Sequence, residues 1–209
     1  DFIVFLPIVL LLFFAFQQKF RVAVLLVASY YFYMSWNPIY ILLIVASTIT
    51  DYSAGRALSK TSKQQSRNLI LAISIIVNLG LLFFFKYTDF LLENINATVE
   101  IATNKEAPFT LLELIIPVGI SFYTFQTISY TIDVYNRKVE AEKNLSQFAL
   151  YVSFFPQLVA GPIERYSALA PQFKSVFKLT KTNLSNGFRL MLYGLFMKMV
   201  VADNIGIVV

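Results

Sequence analysis

Apolar residues fall along the chain in long runs separated by short polar stretches, the pattern of helices set in hydrocarbon rather than water. The runs are Phe2 to Phe16, Phe20 to Trp36, Ile39 to Thr50, Leu69 to Phe85, Phe109 to Ile132 and Phe188 to Ala202. Pro7 sits early enough in the first run for a helix to accept it. Asn37-Pro38 reads as the turn between the second and third runs. Pro117 and Gly119 interrupt the fifth. Each run predicts a membrane span, about six in all. The expected fold class is therefore all-α, a polytopic helical membrane protein. Phe148 to Ile163 is apolar too, but its 16 residues carry Pro156 and Gly161-Pro162, which break helices.

Composition sharpens the picture. Of the 209 residues, 57% are hydrophobic, 16% aromatic and 14% charged, where a soluble domain carries about 25% charged residues. Mean hydropathy is +0.66. There is no Cys and no His, which excludes a disulfide scaffold, a Cys/His zinc site and catalysis by a histidine or thiol of this segment. No metal is expected. The net charge of +5 would suggest nucleic acid only if the basic residues formed one solvated face. They lie instead in loops between apolar runs, so the expected partner is the lipid bilayer. The chain begins at Asp1 with no methionine and no basic n-region, and reads as a fragment that starts inside a larger protein.

Charge settles how the broken stretch is read. Basic residues crowd Gln17–Arg21, Asp51–Asn68, Asp133–Gln147 and Glu164–Arg189, whereas Lys86–Pro108 holds Lys86 and Lys105 against four carboxylates. Placing the first four segments inside and the acidic loop outside puts 14 basic residues against two, with Lys198 within a helix. That arrangement needs both flanks of Phe148–Ile163 on one side. The stretch is expected to dip into the membrane and return, or to lie buried among helices. Just beyond it, Phe173, Val176 and Phe177 share a helical face beside Lys174, Lys178 and Lys181. This predicts a short amphipathic helix on the inner leaflet.

Polar residues within the spans are functional candidates by default. Gly119, Tyr123, Gln126, Tyr130 and Asp133 follow at steps of 4, 3, 4 and 3, which puts them on one helix face. That face should point at the bundle interior or a cavity, because Gln126 would forfeit its hydrogen bonds in lipid. It either lines a path or joins helices by hydrogen bonds. Asp51, after Ser47, Thr48 and Thr50, reads as an interfacial cap or an ion-pair partner of Arg56. Lys198 and Asp203, five apart, are out of register for a pair on an ideal α-helix. Gly187 and Gly194 suggest a close helix contact, and Glu164 with Arg165 an ion pair at the exit of the dip.

The stretches Pro117-Val-Gly-Ile-Ser-Phe-Tyr-Thr-Phe-Gln-Thr-Ile-Ser-Tyr130 and Phe154-Phe-Pro-Gln-Leu-Val-Ala-Gly-Pro-Ile163 resemble signature segments of the membrane-bound O-acyltransferase (MBOAT) family. The likeness is to its alginate O-acetyltransferase and D-alanyl-lipoteichoic acid branch. Tyr30–Trp36, the run around Asp51 and Lys198–Asn204 agree, so the resemblance covers nearly the whole chain. It implies that residues 1–209 are the N-terminal part of one transmembrane domain, truncated at both ends, whose catalytic histidine lies beyond Val209. It implies an enzyme moving an acyl group, usually acetyl, from a cytoplasmic donor to hydroxyls of an exported polysaccharide. The donor would be acetyl-CoA or an acylated carrier protein, with a periplasmic partner completing the transfer and the bacterial inner membrane as the location.

No catalytic residue is expected within the chain itself, and the fragment alone is expected to be inactive. Tyr123, Gln126 and Tyr130, with Gln157, Gly161 and Pro162 in the dip, are the residues expected to line the substrate tunnel. A transporter or flippase for a polysaccharide or lipid-linked substrate is the alternative. It would need an internal repeat, and the two broken segments are too unlike to form one.

Overall fold

An apolar run in hydrocarbon becomes a helix because the backbone has no water to satisfy its N–H and C=O groups. The computed structural model describes residues 2–103, 109–159, 161–177 and 179–206, and every regular element among them is helical. α1 spans Phe2–Ala15 and contains Pro7; α2 spans Gln18–Met34. The turn expected at Asn37-Pro38 is present. Asn37 Oδ1 accepts from the Ile39 N–H at 3.1 Å, and Pro38 opens a single 3₁₀ turn, Pro38–Tyr40, leading into α3, Ile41–Lys60. α4 spans Gln64–Thr103 and α5 Ile120–Tyr135. α6 is Leu145–Ser153, α7 the single turn Phe155–Leu158, and α8 Tyr166–Lys174. α9, Lys181–Phe196, continues as a π-helical stretch, Met197–Ala202, and a last turn α10, Asp203–Gly206. The chain divides into two units, Asp1–Lys174 and Ser175–Val209.

Helix lengths depart from the apolar runs. Pro38–Lys60, with 23 residues, and α4 are long and apolar enough to cross a bilayer. α1, α2 and α5 have 14, 17 and 16 residues, short of the ~20 of a full crossing. Among the described residues, then, two helices have the length and apolarity for a full crossing, where the sequence predicts about six spans. α3 does not stop near Asp51. Its last turns bury Asp51, Ala54, Gly55 and Leu58 at helical spacing, so packing sustains the helix after the apolar run has ended. α4 likewise runs on past Phe85, because nothing between Gly80 and Thr103 breaks a helix. At ~1.5 Å per residue its 40 residues reach about twice the thickness of the hydrocarbon core. The expected loop after Lys86 is thus helical up to Thr103, while Lys105 and Glu106 lie outside the described residues.

The fifth run behaves in the opposite way. Its first part, from Phe109 to Pro117, has no regular secondary structure, and α5 begins only at Ile120. Side chains take the place of a helix's own hydrogen bonds there. Asn96 on α4 donates to the Phe109 carbonyl at 2.7 Å and accepts from its N–H at 3.0 Å. Asp89 accepts from the N–H groups of Leu112 and Leu114 at 2.8 and 3.1 Å. Between them Glu113 has a φ of 50°, which turns both donors toward one carboxylate. Tyr40 and Tyr33 donate to the carbonyls of Ile115 and Val118. Gly119 then caps α5 at φ 75°, and a Cβ there would lie 2.4 Å from the Leu158 carbonyl oxygen.

α3, α4 and α5 pack together, α2 packs on α6 and α7, and α8 on α6. A fully buried carboxylate joins the first three. Asp51 Oδ1 accepts from Thr131 Oγ1 on α5 at 2.8 Å and from Ser74 Oγ on α4, and Oδ2 accepts from Asn78 Nδ2 at 2.7 Å. Asn78 Oδ1 in turn accepts from Ser47 on α3. Asp51 is therefore neither an interfacial cap nor a partner of Arg56.

The broken stretch returns to its starting point. Glu142, before α6, accepts from the Tyr166 hydroxyl at 2.5 Å and Lys174 Nζ at 3.0 Å, both on α8. The N–H groups of Lys143 and Asn144 donate to its other oxygen. Chain entering α6 and chain leaving α7 thus meet at one carboxylate. Burial pushes the Glu142 carboxyl up, but the hydrogen bonds from Tyr166, Lys174 and the two backbone donors outweigh it and hold it below the usual value. Burial and the adjoining Glu142 push the Tyr166 phenol up.

Sequence expectations near the end of the chain meet different outcomes. The short helix is α8, which stops at Lys174, so Val176 and Phe177 are not helical and share no face with Phe173. Lys178 lies outside the described residues. Arg165 reaches Asp133, at 3.9 Å, rather than Glu164. Lys198 does pair with Asp203, at 2.8 Å, because the π-helical winding between them brings residues five apart onto one face. Among the described residues, a Cβ on Gly187 or Gly194 would meet nothing within 4 Å.

Asp51→Leu should orphan three buried donors at about 1–3 kcal/mol each. Thermal unfolding of the purified protein should show a much lower midpoint than for Asp51→Asn, which retains an acceptor. Because folding lowers the Glu142 pKa, its contribution is complete above the ordinary carboxylate value and fades as pH falls through the lowered one. The stability gap between the wild type and Glu142→Gln should therefore narrow on acidification, read as unfolding midpoint against pH.

Candidate functional site: the buried seam between α5 and the broken helix

Helical spacing on α5 puts Tyr123, Gln126, Tyr130 and Asp133 on one stripe, and all four are buried. The adjacent stripe of Thr124, Thr127 and Thr131 is buried as well, and Thr131 faces the Asp51 network, while Phe122 and Phe125 on the remaining face are exposed. The break between α6 and α7 falls at Phe154, with φ −55° and ψ 110°, immediately before Phe155-Pro156. Ending α6 there frees carbonyls that a continuous helix would have used. Gln126 Nε2 donates to one of them, Tyr151, at 2.7 Å. The first N–H beyond the break, Phe155, donates to Ser29 Oγ on α2 at 3.2 Å.

Gln126 also accepts from Gln157 Nε2 at 3.3 Å, and that amide donates to the Pro162 carbonyl at 3.0 Å. The Gly161 N–H donates to the Gln157 carbonyl at 2.9 Å, and a Cβ on Gly161 would sit 2.7 Å from the Gln157 Cα. Four of the six residues singled out in the sequence, Gln126, Gln157, Gly161 and Pro162, therefore gather at one place. The Tyr151 hydroxyl, within 3.3 Å of the Gln126 carbonyl and 3.1 Å of the Glu164 carbonyl, closes the group.

The other two stand apart. Tyr130 points toward the Glu142 end, where its hydroxyl accepts from the Glu142 N–H at 3.0 Å and its ring packs on Phe148 and Tyr166. The Tyr123 hydroxyl is buried and has no hydrogen-bond partner. Buried polar atoms are nearly always paired, so this hydroxyl is a buried donor with nothing among the described residues to receive it.

Several residues of this region escaped the sequence reading. Ser74 and Asn78 were legible as a polar pair four apart inside an apolar run. Ser29 and Glu142 carried no signal, since a lone serine in a span and a glutamate in a polar loop are ordinary. Among the described residues no cluster of acidic side chains could hold a metal ion. Two clefts, of about 550 and 480 Å³, open at the Glu142 end, and none of the six predicted residues lines either.

No family model matches the chain, and no solved structure does. Curated relatives do. It is 38% identical over 207 residues to a probable alginate O-acetylase AlgI of Pseudomonas syringae pv. tomato, covering 98% of this chain and 39% of the relative. The AlgI of Pseudomonas aeruginosa is 35% identical over 203 residues, covering 96% of this chain and 38% of that protein. A peptidoglycan O-acetyltransferase of Helicobacter pylori is 35% identical over 206 residues, covering 86% and 38%. The chain therefore spans about two fifths of the length of these relatives. The chain is thus homologous to these O-acetyltransferase relatives over nearly all of its own length, and the two segments that carry the family resemblance in its sequence meet at the α6–α7 break.

Proposed function

We propose that the protein to which this chain belongs is a membrane O-acetyltransferase of the bacterial inner membrane. It would pass an acetyl group from a cytoplasmic donor, acetyl-CoA or an acylated carrier protein, to hydroxyls of an exported polysaccharide. The names borne by relatives at 34–38% identity support the reaction class. The transport alternative finds no support among the relatives reported, each named for O-acetyl transfer. This chain has no histidine, so on this reading it would contribute walls and hydrogen bonds, and the group that removes the hydroxyl proton would lie elsewhere in the protein.

The observation that carries a role for this chain is the buried Tyr123 hydroxyl, unpaired among the described residues, on the α5 stripe that also carries Gln126. Gln126, Gln157, Gly161 and Pro162 hold the broken helix in shape, and Tyr123 offers the spare donor. Such a donor would hydrogen-bond an oxygen of the acyl group or acceptor in transit. One hydrogen bond of this kind is worth about tenfold in rate when it is stronger in the transition state.

Tyr123→Phe separates a role in the path from a role in the fold. It removes a hydroxyl that is unpaired among the described residues, so unfolding temperature and expression should be unchanged or improved. Acetylation by the full-length protein should fall about tenfold, measured as acetyl content of the exported polymer. Unchanged acetylation by Tyr123→Phe would leave the seam a purely structural joint. Gln126→Leu should lower both acetylation and stability, because it also strands the Tyr151 carbonyl.

A further inference from the structure

The cleft of about 550 Å³ lies where α3 ends, α4 begins and α5 ends, within the usual range for ligand sites. It is lined by Arg56, Lys60, Arg137, Lys138 and Lys143, with Glu140 the one carboxylate among its described lining residues. Among the described residues none of those five cations forms an ion pair; the ion pairs of the chain involve Arg165, Lys174 and Lys198. Arg67, also at the cleft, is committed to the fold. Its guanidinium donates to the carbonyls of Leu58, Thr61 and Tyr135 at 2.6, 3.2 and 2.5 Å, tying the ends of α3 and α5 to the start of α4. The concavity is therefore built rigidly, and it concentrates positive charge that the protein does not neutralise. Such a site attracts a compact polyanion, and the hydroxyls of Ser59, Thr61 and Ser62 on its wall suit phosphate oxygens.

The position of the cleft says which phosphate. α3 and α4 are the two helices apolar and long enough to cross a membrane, and the cleft lies at their shared end. The apolar exposed surface of α4 begins at Leu69, with Ile73 one turn on, only two residues, or about 3 Å along the axis, past Arg67. Hydrocarbon-facing surface thus meets the basic cleft at the level of lipid headgroups. None of the lining residues is aromatic, so nothing there would stack on a nucleobase.

We propose that this cleft binds the phosphate headgroup of an anionic phospholipid of the membrane. Bound lipid would neutralise the cationic cluster and fix the depth of the α3–α4 turn at the membrane surface. The inference rests on the membrane placement of the chain and is independent of acetyl transfer.

The test uses the full-length protein, purified in neutral detergent and equilibrated with equal amounts of phosphatidylglycerol and phosphatidylcholine. Lipid retained is read by native mass spectrometry. Phosphatidylglycerol should be enriched, and the triple variant Lys60→Gln, Lys138→Gln, Lys143→Gln should lose that enrichment by about tenfold or more. Lys19→Gln with Lys86→Gln, charges removed elsewhere, should leave it unchanged. Glu140→Gln, which removes the opposing carboxylate, should raise it and guards against a folding defect in the triple variant. Equal retention of the two lipids by the wild type, or undiminished enrichment in the folded triple variant, overturns the proposal. Displacement of the lipid by millimolar inorganic pyrophosphate overturns it in favour of a soluble phosphate ligand.

Discussion

Backbone polar groups that leave a helix in apolar surroundings must find partners within the protein, and this requirement organises the whole first unit. The chain leaves helical geometry between Phe109 and Gly119 and again at Phe154. At both places side chains from other elements supply what the helix gave up. Asn96, Asp89, Tyr40 and Tyr33 serve the irregular segment, while Gln126 and Ser29 serve the α6–α7 break. A pair of glutamines carries the chain from that break to Pro162. Each break would otherwise leave several buried groups unpaired at about 1–3 kcal/mol apiece.

α5 is the shared wall of two different polar systems. On one side Thr131 closes the Asp51 network, in which every described bond is internal and the carboxylate is saturated with donors. That system holds α3, α4 and α5 at fixed separation, with Gly55 allowing Tyr130 to approach so closely that a Cβ would lie 2.7 Å from its hydroxyl. On the other side the stripe from Tyr123 to Asp133 meets a broken helix, and there the pairing is incomplete at Tyr123. Saturation suits a joint, and a spare buried donor suits a site that handles something else.

The stripe on α5 was legible because helical periodicity is local: residues three and four apart share a face whatever surrounds them. The break in the α6–α7 stretch was legible because proline and glycine act on their own backbone. The return of that stretch to its starting side followed from the distribution of Lys and Arg and agrees with the meeting of both flanks at Glu142. Helix ends were less visible. α3 and α4 outlast their apolar runs: packing at Ala54 and Leu58 sustains the end of α3, and no proline or glycine interrupts α4 after Phe85. The Lys198–Asp203 pair was misjudged because α-helical spacing was assumed where the backbone is π-wound.

The sequence by itself determined that the chain is helical and made for an apolar medium, which face of α5 turns inward and where the backbone must break. Its signature segments also carried the family. These properties depend on residues close together in the chain. Only the tertiary structure decided what each inward group meets. Asp51 finds Ser74, Asn78 and Thr131, Gln126 finds the carbonyl of Tyr151 and the amide of Gln157, and the Tyr123 hydroxyl finds no partner among the described residues. Partners 23 to 80 residues apart are fixed by how helices pack, and hydrogen-bond saturation, which divides joint from site, is a property of the packed assembly rather than of any segment in it.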